Sequence, residues 1–156
     1  NKFIESIGEA LNKLFYPKED EWEMKCSYKD GNDYWFLFDD GNIDNEYWCD
    51  CLDDDGRFKI GNTFPTEEAA KLEAKRRNLL TRFRAFRDEC NDGWKPDWSN
   101  RDEKWEIDYT EEGVKALWTS VVNSFSTFGY FKNEQDAQRA IELFGDEIKE
   151  LFVEGE

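Results

Sequence analysis

Apolar residues change their spacing several times along the chain, and each change marks an element. Phe3, Ile4, Ile7, Leu11, Leu14 and Phe15 recur three and four apart, which predicts an amphipathic helix over residues 2–15. Pro17 stops it, because helical geometry is disfavoured at the residue ahead of a proline. The period then becomes two. Trp22, Met24, Cys26 and Tyr28 alternate with Glu21, Glu23, Lys25 and Ser27, the pattern of a half-buried strand. Asp30-Gly31, Asp40-Gly41 and Asp55-Gly56 are hairpin signals, and they delimit further strands at 33–39, 46–52 and 57–64.

Thr66 is an N-cap residue followed by Glu67 and Glu68, which suit the positive end of a helix dipole. A helix is predicted from there to residue 88, with Leu72, Leu79, Phe83, Phe86 and Cys90 as its apolar stripe. Residues 91–102 hold Gly93, Pro96, Ser99 and Asn100 and read as a linker carrying Trp94 and Trp98. Beyond it Trp105, Ile107 and Tyr109 share one face of a strand, Val114–Thr119 forms a second, and Ser124–Phe131 a third. Asn133 caps a final helix containing Ala137, Ile141, Phe144, Ile148, Leu151 and Phe152.

The two halves share landmarks. Trp35 and Trp105 are 70 residues apart, as are Trp48 and Trp118, while Phe64 through Ala70 matches Phe131 through Ala137 at an offset of 67. Such recurrence points to a repeated unit. The expected fold is α+β, a duplicated antiparallel β-meander followed by a helix (βββα twice), with an extra N-terminal helix and strand. Residues 1–90 form the first lobe with its N-terminal helix, 91–102 the linker, and 103–156 the second lobe.

Charge sharpens this picture. The chain of 156 residues carries a net charge of −16, placed unevenly. Residues 19–55 hold 14 acidic groups against Lys25 and Lys29, a net of −12, whereas residues 56–90 are net +4. Such a field repels nucleic acids and anionic membranes and attracts basic protein surfaces. Only 38% of residues are hydrophobic, yet 17% are aromatic, and large rings let few core positions drive folding. No signal peptide or membrane span is expected, since no apolar run is long enough. The first residue is Asn1 rather than Met, which leaves room for an upstream segment. Cytoplasmic residence is expected.

Arg57-Phe58-Lys59-Ile60-Gly61-Asn62-Thr63-Phe64-Pro65-Thr66-Glu67-Glu68-Ala69-Ala70 resembles a signature of small phage and prophage proteins without an assigned function. Trp94-Lys95-Pro96-Asp97-Trp98-Ser99-Asn100, leading into Lys104-Trp105-Glu106-Ile107, adds to it. So does Phe128-Gly129-Tyr130-Phe131 before a capped helix, and together the tracts span residues 57–150. The resemblance implies a phage-linked origin and carries no catalytic residue. The Asp-rich tract at 39–55 lies outside it.

Candidate chemistries narrow quickly. Cys26, Cys49, Cys51 and Cys90 read as reduced thiols and small core residues, with no metal site. Zinc sites favour turn-type Cys pairs and often histidine, and the chain has no histidine. Asp53-Asp54-Asp55-Gly56 does not fit a calcium loop, because Cys51 and Asn62 would stand where carboxylates are needed. Without histidine the common Ser-His and Cys-His nucleophiles are excluded, and no phosphate-cradling Gly loop occurs. The chain is therefore expected not to be an enzyme and to need no cofactor. Lys71, Lys75, Arg76, Arg77, Arg82, Arg84 and Arg87 make the helix over 71–87 basic, either as snorkelling side chains or as a surface for a second copy.

The expected binding face is acidic: Asp33, Trp35, Asp39, Asp40, Asp44, Glu46, Trp48, Asp50, Asp53, Asp54 and Asp55, with Trp35 and Trp48 turned outward among carboxylates. Carboxylates spaced along a sheet imitate a phosphate backbone, and exposed Trp anchors interfaces. The expected partner is a host protein with a basic surface, with DNA mimicry as the specific form and no direct nucleic-acid binding. Two other classes compete: a self-associating assembly module, and a protein sequestering a small molecule between its lobes.

Overall fold

The computed structural model describes residues 23–155. The predicted helix over 2–15 lies outside the described residues, as does Trp22. Described here are a mixed α+β arrangement of three helices and two small antiparallel sheets.

The first sheet is a hairpin of β1 (Asp33–Leu37) and β2 (Ile43–Tyr47). Its turn is built by Asp40, whose carboxylate accepts both the backbone N–H and the side-chain amide of Asn42, while Gly41 takes the left-handed φ of 85°. Tyr34 stands opposite Glu46, and Phe36 opposite Asp44. Directly paired residues share a face, so these two acids lie on the aromatic side of the hairpin. Trp35 lies on the other side, where it exchanges two backbone hydrogen bonds of 2.8 Å with Phe64.

Next comes α1 (Leu52–Lys59), which corrects the strand expected at 57–64. Asp53, Asp54 and Asp55 occupy the first turn and Arg57 and Lys59 the last, a distribution matched to the helix dipole. Asp55 and Lys59 also pair at i,i+4. The helix is fixed by what it covers: Phe58 meets Trp48 edge-on at 6.3 Å, and the Arg57 guanidinium lies 3.7 Å over the Phe36 ring. Tyr34, Phe36 and Trp48, flanked by Tyr28 and Phe58, form a small aromatic core.

Three more strand boundaries differ from expectation. Residues 23–28 form no strand, β2 ends at Tyr47 rather than at 52, and the strand expected over 124–131 is confined to β5 (Tyr130–Phe131). Phe38, just beyond β1, is exposed.

Apart from the shortened last strand, the second half follows its sequence pattern. In α2 (Glu67–Asn91) the Thr66 hydroxyl accepts the Ala69 N–H at 3.1 Å, and Asp92 closes the helix in left-handed geometry. Strands β3 (Lys104–Thr110) and β4 (Gly113–Thr119) pair throughout, with β5 on the other edge of β3, giving the order β4-β3-β5. The last helix is α3 (Glu134–Phe152). Leu79 and Phe83 of α2, Ile107 of β3, Phe131 of β5, and Phe144, Ile148 and Leu151 of α3 share one core. Thus the stripe of α2 is buried against the second sheet and α3. Among the described residues no helix is long and apolar enough to cross a membrane.

The two sheets correspond only in part. Trp105 pairs with Phe131 as Trp35 pairs with Phe64. Trp118, however, sits opposite Trp105 and is 59% exposed, whereas Trp48 lies beyond β2 and is 2% exposed.

Candidate functional site

Between Asp30 and Asp55 the sequence has ten acidic residues and no Lys or Arg. The structure sorts the predicted face into three groups. Asp33, Asp39, Asp40, Asp44, Asp50, Asp53 and Asp55 are exposed, carried by the hairpin, its turn and the start of α1. Glu46 is also exposed but is held in an ion pair with Arg57. Trp35 is half-buried at the contact with Phe64.

Trp48 and Asp54 are corrections. Trp48 does not face solvent: it stacks on Tyr28 at 5.4 Å and meets Tyr34 at 5.8 Å, while its indole N–H donates to Asp50. Tyr47 and Leu52 are turned outward beside it instead, the latter 89% exposed. Their exposure follows from where β2 ends and α1 begins, a boundary the alternation of polar and apolar residues does not mark.

Asp54 is 1% exposed, so it cannot meet a partner's surface. Its Oδ1 accepts the Tyr34 hydroxyl at 2.7 Å and its Oδ2 accepts the Cys49 backbone N–H at 2.7 Å. Burial alone would raise this carboxyl. The hydrogen bonds from Cys49 and Tyr34 outweigh it and hold Asp54 well below the ordinary carboxylate range. Tyr34 is affected in the opposite sense, pushed up to about 12 by burial first and by its bond to Asp54 next. Arg57 completes the network, donating to the Tyr34 oxygen at 2.6 Å.

Of the four cysteines only Cys90 packs against the core, beside the apolar stripe of α2. Cys26 and Cys49 are exposed, and Cys51 and Cys90 partly so. Cys51 is the N-cap residue of α1, and its sulfur, that of Cys49 and a carboxylate oxygen of Asp54 all lie within 4.8 Å of one another. The first-lobe pairing of two thiols with a carboxylate was not visible from spacing alone, because it depends on α1 turning Asp54 inward.

The basic helix is largely satisfied within the chain. Lys71, Arg77 and Arg87 pair with Glu67, Glu73 and Asp88, while Lys75 and Arg82 reach Glu150 and Glu147 of α3. Arg76 donates to the Leu151 and Gly155 carbonyls. These side chains tie α2 to α3.

A cavity of about 400 Å³ lies beside β3 and the end of α3, lined in part by Glu106, Tyr109, Ser124, Phe128 and Phe152. Burial there raises the Glu106 carboxyl, with Asp108 adding to the effect. Comparison of the chain with protein-family models, with curated proteins and with solved structures finds no match.

Proposed function

We propose that the chain is a phage-type, non-enzymatic binding protein that captures a basic surface of a host protein through the acidic face of its first lobe. The observation that carries this is the set Asp33, Asp39, Asp40, Asp44, Asp50 and Asp53, exposed and, among the described residues, without a cationic partner. The cations of the neighbouring basic helix pair within α2 or with α3 instead. A field left uncompensated in this way steers basic partners and repels polyanions. Tyr47 and Leu52, exposed beside Asp50 and Asp53, supply apolar anchors.

In its most specific form the face is a DNA mimic, occupying the nucleic-acid-binding surface of a defence or regulatory protein. The test is affinity capture from bacterial lysate by the chain and by a variant with Asp39, Asp40, Asp44, Asp50 and Asp53 changed to Asn, with mass spectrometry of what is retained. The reading expects a nucleic-acid-binding protein, retained by the unchanged chain, lost with the variant and released by duplex DNA. Equal retention by both chains would contradict it.

A further inference from the structure

Three groupings stand outside the acidic face: the cavity around Glu106, the exposed apolar cluster of Leu117, Trp118, Val121, Val122 and Phe125, and the Cys49–Cys51–Asp54 triad. The third has a donor set with a specific chemistry. We propose that Cys49, Cys51 and Asp54 form a binding site for a borderline-to-soft divalent cation of the zinc class, with two sulfur ligands, one oxygen ligand and a fourth position open to solvent.

The geometry is close to what such an ion requires. Tetrahedral zinc with Zn–S near 2.3 Å and Zn–O near 2.1 Å sets its ligand atoms roughly 3.5–3.8 Å apart. The three donor atoms already lie within 4.8 Å of one another. Cys49 and Cys51 flank Asp50, whose φ of 52° bends the chain between the hairpin and α1. The side chains of both cysteines therefore come from a bend rather than from a flat strand, as ligand pairs on turns do.

Asp54 is oriented for the task. Each carboxylate oxygen has two acceptor directions; the Tyr34 hydroxyl and the Cys49 N–H take one on each, and the Cys49 and Cys51 thiols approach the carboxylate on the side an ion would occupy. The bonds from Tyr34 and the Cys49 N–H fix the carboxylate as outer-shell partners fix a metal ligand, and an ion bound by the two thiolates would take the place of the thiol protons. Among the described residues Asp54 has no ion pair, although it is sealed from solvent. The hydrogen bonds already hold this buried carboxylate ionised, the form a metal ligand needs, and a bound cation adds direct charge compensation. Thiols select against calcium and magnesium, which take oxygen ligands. Cys49 is exposed, so water or a donor from another molecule reaches the fourth position.

The site is independent of the proposed capture of a basic surface, since it uses none of the exposed aspartates. Its test uses the full chain with Cys26 and Cys90 changed to Ser, under a non-thiol reductant, titrated with Cd²⁺ while the thiolate-to-metal charge-transfer absorbance is followed. The expected result is one equivalent bound, displaced by Zn²⁺ and not by Ca²⁺. Adding Cys51→Ser abolishes it. Tyr34→Phe, which keeps all three donors, weakens binding by about tenfold or more. Far-ultraviolet circular dichroism checks that each variant is folded. Binding that survives Cys49→Ser/Cys51→Ser in a folded chain, or displacement by Ca²⁺ as readily as by Zn²⁺, would overturn the proposal, as would the absence of stoichiometric Cd²⁺ binding.

Discussion

The Tyr34 hydroxyl donates to Asp54 across 2.7 Å, and neither side chain meets solvent. This one bond joins the hairpin to α1, two elements adjacent in sequence whose packing sets which acids face outward. Removing the donor leaves a buried charge with one hydrogen bond fewer. Tyr34→Phe is expected to cost about 1–3 kcal/mol, read as a lower denaturant midpoint with an unchanged slope. An unchanged midpoint would show that Asp54 is not sealed by this contact.

The tryptophans at matched sequence positions are expected to behave differently. Trp48 is enclosed by Tyr28, Tyr34 and Phe58, so Trp48→Ala should cost about 3–5 kcal/mol. Trp118 is largely exposed on β4, and Trp118→Ala should cost about 1 kcal/mol or less. Thermal denaturation of the two variants distinguishes these outcomes. Equal losses would favour two equivalent meanders over the arrangement described.

The shared core of α2, α3 and the second sheet gives another contrast. Phe83 lies within 6 Å, centroid to centroid, of Phe128, Phe131 and Phe144. Phe83→Ala is expected to cost about 3–5 kcal/mol and to loosen the second sheet, from which residue 83 is distant in sequence. Phe125, 90% exposed, should tolerate alanine within about 0.5 kcal/mol. Hydrogen exchange of the β3 and β4 amides reports the first effect directly.

Glu106 sets a pH dependence with a definite sign. Its folded carboxyl is raised, by burial first and Asp108 second. The folded state therefore holds this proton more tightly than the unfolded chain does. Stability from this group is complete below the ordinary Glu range and is lost as pH rises through the raised value. Glu106→Gln should consequently raise the melting temperature at neutral pH, with the gain vanishing as pH falls below that range. A gain that persists at low pH would have another cause.

Elements with their own local signals were legible in the sequence. Thr66 before Glu67-Glu68 located α2, Asn133 located α3, and the alternation of Trp105, Ile107 and Tyr109 located β3. Helix α1 was hidden because Asp53-Asp54-Asp55-Gly56 suits a hairpin turn and the first turn of a helix equally well. Contacts of Arg57 and Phe58 with Phe36 and Trp48 decide between them, and these are tertiary. The same ambiguity misplaced two members of the binding face. A strand continuing past Tyr47 would turn Trp48 outward and a hairpin turn would expose Asp54, whereas β2 ends at Tyr47 and α1 turns Asp54 inward. The remaining acids of the face needed no tertiary information, since their charge and turn positions already marked them as solvated.

Capture of a basic surface by the acidic face is tested most directly by association kinetics. The chain and its five-Asn variant are compared against the retained host protein across a series of ionic strengths. The account predicts an association rate that falls steeply with added salt for the unchanged chain. For the variant it predicts a slower rate that is nearly flat in salt. Equal rates for the two chains, independent of salt, would contradict it.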